Sequence, residues 1–342
     1  MIIVLYAVTA LLYGGLSIAA WRAFRQQPEL RTDPESPGGF GTPLMQGVSP
    51  VQTSAAAARN GMMPISGRLA LLVALLAHGL LLHITIFPSN GMYFGFALSL
   101  SSMLWLGAGI YMIESWFFPL EGLGVLVLPL AALASLLPLP FNGVRVLDYA
   151  ADPLFKVHFL IANVSYGLLA IAALHAVLML FVERRLHAAR RGRAAVGATY
   201  PRAHGAQGAG TISTGAPGRF GAPMSASGSW FRSWVDVLPP LLTMEKLLFR
   251  MISAGFALLT LTLVSGALFS EQLLDRAFSL DHKTVFAVLS WLMFGGLVAG
   301  RHFYGWRGRT ALRWVLASFV ALLLAYVGSR FVLEVLLHRQ VV

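Results

Sequence analysis

Cysteine is absent from the 342-residue chain. Disulfides, thiolate metal sites, iron–sulfur clusters, covalent c-type haem attachment and thiol nucleophiles are excluded together. Charge is almost as scarce: 11% of residues are charged and 57% hydrophobic, against about 25% and roughly 45–50% in an ordinary soluble domain. With a mean hydropathy of +0.72, the apolar surplus is too large for one core and must face lipid, which excludes a water-soluble globule. The signatures of common enzymes are missing too. There is no GxxxxGK[ST] phosphate loop, no HExxH pair, no GxSxG elbow and no pair of intramembrane aspartates. The glycines from Gly205 to Gly218 follow no strand and open no helix, so they are not a dinucleotide fingerprint. No catalytic residue is assigned. Acidic residues number 14 against 25 lysines and arginines, a net charge of +11. Such a balance points to nucleic acid only when the basic groups share one folded surface, and here they are scattered through membrane-flanking loops. The expected partner is the lipid bilayer, not nucleic acid.

What the sequence has is a series of long apolar runs. A spanning helix needs about 20 mostly apolar residues to cross roughly 30 Å of hydrocarbon. Eight segments qualify: Ile2 to Trp21, Leu69 to Phe87, Met92 to Met112, Phe117 to Leu139, Val157 to Phe181, Leu248 to Phe269, Thr284 to Gly300 and Trp314 to Leu337. Their continuity, without two-residue alternation, implies helices that satisfy their own backbone hydrogen bonds in lipid. The expected fold is all-α, a polytopic membrane bundle of about eight transmembrane helices. The segments Arg22 to Arg68, Glu183 to Arg250 and Arg301 to Arg313 hold 19 of the 25 lysines and arginines. Basic loops are retained in the cytoplasm, so these three lie inside and both termini outside. The first segment lacks a basic stretch before it and is followed by Arg22 and Arg25, which fits an uncleaved first helix.

The expected organisation follows from these runs. Residues 1–21 form the first transmembrane helix and 22–68 a flexible cytoplasmic loop. Helices two to five occupy 69–187, a low-complexity cytoplasmic linker 188–245, and helices six to eight 246–342. Gly, Ala, Ser, Pro and Arg dominate both loops, with no apolar period. The basic run VERRLHAARRGR after helix five reads as a positive-inside anchor.

Histidines are the most informative polar residues. His187 and His204 fall in the linker, while His78, His83, His158, His175, His282, His302 and His338 lie in or beside helices. Two neutral imidazoles on facing helices can ligate haem iron without cysteine. Any single one also serves as a packed or interfacial histidine bonded to a neighbour. The inferred topology puts His158, His282 and His338 near the outer surface, His78 and His175 deeper, and His302 at the inner end of helix seven.

From Arg250 the chain reads RMISAGFALLTLTLVSGALFS, EQLLDRAFSLDHKT and VFAVLSWLMFGGLVAGRHFYGWRGR, followed by a helix containing AYVG. This series resembles the cytochrome c assembly family, the CcsA/CcmC-type haem handlers, through Gly255, Phe256, Leu259, Thr260, Gly266, Asp281, Lys283, Trp291, Leu292, Gly305, Trp306, Arg307 and Gly308. In helix five, HFLIANVSYG resembles the family's H-x-x-x-x-x-x-SYA pattern through His158, Ser165 and Tyr166. The departures are specific. No tryptophan falls between Ser270 and Thr284, where the family carries a tryptophan-rich outer loop. Ala299 stands where the family has an inner histidine, with His302 three residues later. The chain therefore looks like a divergent YpjD/HemX-type branch without the full tryptophan motif.

The resemblance implies a multi-pass bacterial inner-membrane protein that binds or handles haem at its outer face in cytochrome c biogenesis, with haem, apocytochrome c or another maturation protein as partners. It implies His158 as an axial ligand and His338 as the second, Phe278 as an apolar contact and Lys283 beside a propionate. Asp281 is either a partner to the ligand histidine or the cap of the helix starting near Thr284. Two other readings stay open: a membrane scaffold or regulator of the same fold that has lost haem ligase activity, and a small-molecule transporter. The transporter reading has only Glu121, Pro129 and Glu334 as hints and no visible repeat.

Overall fold

The computed structural model describes residues 2–26, 63–88, 92–118, 120–141, 145–146, 153–198, 241–274 and 282–328. They form eight helices: α1 (Ile2–Gln26), α2 (Ile65–Ile86), α3 (Phe96–Phe117), α4 (Glu121–Leu136), α5 (Pro153–Ala198), α6 (Leu241–Leu274), α7 (His282–Tyr304) and α8 (Gly308–Leu323). A π-helical turn, Leu324–Gly328, continues α8. Two short strands, β1 (Tyr93–Phe94) and β2 (Arg145–Val146), pair antiparallel between the α2–α3 and α4–α5 connections.

Seven of the helices are long and apolar enough to cross a membrane, and α4 is a shorter apolar helix. The expected run Phe117 to Leu139 is thus trimmed at both ends. Phe118, which precedes Pro119, is extended at φ −134° and ψ 142°, as the residue before a proline is biased to be. At 16 residues, α4 is about 24 Å long, and it runs through Pro129 without a break. The fifth helix is longer than expected: 188–198 is helical and 241–245 opens α6, so the ends of the expected linker belong to helices. Alanine and arginine, strong helix formers, account for the extension of α5. The remainder of both expected loops, and residues 329–342, lie outside the described residues.

Consecutive helices α2 and α3 run antiparallel, as do α6 and α7. Arg68, at the start of α2, donates to the Ser115 carbonyl near the end of α3 at 2.8 Å. Ser165 of α5 donates to the Gly255 carbonyl of α6 at 2.9 Å. Glu245 near the start of α6 pairs with Arg301 at the end of α7, and lies 3.7 Å from Arg307. Arg309 at the start of α8 lies 3.0 Å from Glu183 of α5. One end of the bundle therefore gathers the arginines Arg68, Arg301, Arg307 and Arg309 with their partners.

The GWRG turn at that end is built by its own residues. Gly305 and Gly308 have φ of 63° and 68°, a region that residues with a Cβ rarely occupy. Trp306 folds back so closely on Gly300 that a Cβ there would lie 2.7 Å from the indole. The Arg301 guanidinium lies over the Phe249 ring at 4.5 Å and donates to the Trp306 carbonyl at 3.1 Å. This part of the shared motif fixes the α7–α8 corner.

Candidate functional site

At the opposite end, α5, α6, α7 and the π-helical turn line an open cavity of about 640 Å³, within the size range of small-molecule and cofactor sites. His158 and Tyr166 line it from α5, Thr260, Gly266 and Ala267 among others from α6, Lys283 and Trp291 among others from α7, and Ala325 and Tyr326 from the turn. Gly266 and Ala267 keep the α6 wall low. A Cβ on Gly266 would lie 3.5 Å from His158 Cε1, ordinary contact distance.

The hydrogen bonds around His158 fix its ring. His158 Nδ1 is 2.7 Å from Ser265 Oγ, and Ser265 Oγ is itself 3.1 Å from the Thr262 carbonyl. The ring is therefore oriented through Nδ1, with Nε2 at its other edge. This is the arrangement in which a partner on one ring nitrogen orients the other as a metal ligand. Asp281, offered as a partner to this histidine, lies outside the described residues, and the described partner is Ser265. Its only sequence signal was its place beside Gly266 in the shared series.

Of the expected site residues, the structure brings together His158 and Lys283, both lining the cavity. His338, Phe278 and Asp281 lie outside the described residues, and His282 opens α7. His302 is exposed at the arginine-rich end, with its ring 5.2 Å from Phe303, far along α7 from the cavity. Tyr166, Trp291 and Tyr326 also line the cavity. Sequence reasoning valued the first two as family positions and gave Tyr326 no role.

The deeper histidines are bonded within the bundle. His78 Nε2 is 2.9 Å from Ser101 Oγ, and its ring meets Tyr13 edge-on at 5.7 Å. His175 Nε2 is 3.2 Å from Glu114 Oε2, with both residues buried. Among the described residues, no group of three or more His, Cys, Asp or Glu is placed to hold a metal ion.

An all-helical membrane bundle, with a histidine-lined cavity at the end away from its arginines, is the class of protein that this fold defines. The chain belongs to the cytochrome c assembly protein family, whose model matches residues 66–337. It is 36% identical over 101 residues to the inner membrane protein YpjD of Escherichia coli strain K12, a match that covers 29% of this chain and 37% of that protein. It is 33% identical over 88 residues to the cytochrome c biogenesis protein CcsA of Prochlorococcus marinus strain MIT 9515, covering 26% of this chain and 28% of that one. The matches span 37% and 28% of the length of these relatives. No solved structure matches it. Family and apolar helices together make it a multi-pass inner-membrane protein.

Proposed function

We propose that this protein binds and hands on haem at the outer face of the membrane, as cargo in cytochrome c assembly. The observation that carries the reading is His158, oriented through Nδ1 by Ser265 and lining a large, mostly apolar cavity. A neutral imidazole is a haem-iron ligand. Lys283, also in the lining, supplies a cation suited to a propionate. His338 is the proposed second ligand, and apocytochrome c or another maturation protein the proposed recipient. The test is an absorption spectrum of the detergent-purified protein from haem-replete cells. The expected result is a Soret band, with split visible bands on reduction. Clean protein without a Soret band would refute the reading.

The orientation belongs to the same proposal. The arginine-rich end is taken as cytoplasmic on the positive-inside rule, which puts both termini and the cavity outside. A cytoplasmic-activity reporter fused after Val342 is expected to be silent; strong activity would invert or break this topology.

A scaffold that no longer handles haem has one observation in its favour. The GWRG turn, the Gly300–Trp306 contact and the Ser165–Gly255 bond give much of the shared motif a packing role. The same spectrum separates the two readings.

A further inference from the structure

We propose that Tyr166, Trp291 and Tyr326 form an aromatic cradle inside the bundle for the face of a planar ring ligand of the porphyrin class. The inference rests on the reading of the cavity as a haem site and adds what holds the ring. The three residues come from three elements, α5, α7 and the π-helical turn, and line one cavity with His158. His158 and Tyr166 are eight positions apart on α5, roughly 12 Å along a helix. The aromatic side chains thus extend from the histidine well into the bundle.

Each ring is held by the protein before any ligand arrives. Trp291 donates its indole N–H to Thr260 Oγ1 at 2.8 Å and stacks on Phe256 with centroids 5.9 Å apart and planes at 24°. Thr260 in turn donates to the Phe256 carbonyl at 2.9 Å. The polar edge of the indole is satisfied within the protein, so its apolar surface meets a ligand without leaving a polar group unpaired. Tyr166 and Tyr326 pack with centroids 5.2 Å apart and planes at 57°. The π-helical turn is what brings Tyr326 to the cavity wall, and such turns are frequent at functional sites.

Rigid aromatic faces give a conjugated ring offset or edge contacts beyond simple burial, and the aliphatic lining of Leu263, Val264 and Val288 adds apolar contact around them. The segment between Ser270 and Thr284 has no tryptophan to offer such a face. The cradle supplies it from within.

The experiment titrates the full chain in detergent with haemin and with metal-free protoporphyrin IX, which keeps the ring and carboxylates but has no iron for His158. The wild type is expected to bind both. Tyr326→Leu is expected to weaken both by about three- to tenfold, while His158→Ala weakens haemin far more than the metal-free ring. Tyr326→Phe, which retains the ring, is expected to restore most of the loss. Haemin binding without any binding of the metal-free ring would overturn the cradle and leave the His158 site standing. Wild-type affinities for Tyr326→Leu would do the same. Failure of the wild type to bind either compound would overturn both.

Discussion

A His158→Ala variant is expected to reach the membrane at the wild-type level and to lose its Soret band. The expectation follows from the placement of the ring: Ser265 holds His158 through Nδ1, and the imidazole lines the cavity. Removal of the imidazole removes the proposed ligand and leaves the helix intact, because α5 packs through other residues, among them Leu169, Ala172 and Ala176. Ser265→Ala is expected to give an intermediate result. The ring would remain, with its orientation no longer held, and haem affinity would fall by about tenfold or more. The check is the ratio of Soret absorbance to protein, read beside membrane accumulation. Unchanged haem in His158→Ala would refute ligation, and loss of the protein itself would assign the residue to packing.

The second large effect is expected where α3 and α5 cross. A Cβ on Gly167 would lie 3.0 Å from Leu106 Cβ and 3.4 Å from the Gly107 backbone nitrogen. The neighbour is the main chain and the first side-chain atom of the facing helix, which cannot swing aside. Gly107 answers from the other side, with Ile171 side-chain atoms 3.3 Å from where its own Cβ would sit. Small residues at such crossings let helix backbones approach in lipid, where van der Waals packing replaces the hydrophobic effect as the source of cohesion. Gly167→Val is therefore expected to force the helices apart at a cost of about 1–3 kcal/mol, and to lower the unfolding temperature in detergent by several degrees. Gly255→Ala is a second test. Its Cβ would meet Leu169 Cδ2 at 2.7 Å and Cγ at 2.8 Å on a fully buried side chain, so a measurable loss is expected there too. Equal melting of Gly167→Val and wild type would show that the crossing has slack.

The sequence and the structure agree most closely where the information is local. Apolar run length marked the helices, because each must satisfy its own backbone bonds within lipid whatever its neighbours do. Lysine and arginine counts separated the loops into two groups, and the ion pairs of Arg301, Arg307 and Arg309 with Glu245 and Glu183 gather three of those arginines at one end of the bundle. The run at Phe117 to Leu139 shows the limit of this reasoning. Hydropathy passes smoothly across Pro119, but the extended backbone at Phe118 ends α3 there, and α4 begins at Glu121. The linker from 188 shows the opposite error: a polar, alanine- and arginine-rich sequence gives no apolar period, yet it carries α5 on to Ala198.

The candidate site divides in the same way. His158 and Lys283 were legible as residue types in a recognisable series. By itself the sequence determined that the chain is an all-helical membrane bundle of the cytochrome c assembly type, and that a histidine stands near one end of its fifth helix. Only the tertiary structure decided that Ser265 holds that histidine's Nδ1, that Tyr166, Trp291 and Tyr326 share one cavity with it, and that His175 is bound to Glu114 deep in the bundle. The reason is physical. In lipid, the outward faces of helices are as apolar as the inward ones: Leu261, Val285 and Leu289 are widely exposed beside buried Leu259 and Phe294 on the same two helices. Hydropathy then carries no period that tells which face turns inward, and helix rotation is settled by close packing alone.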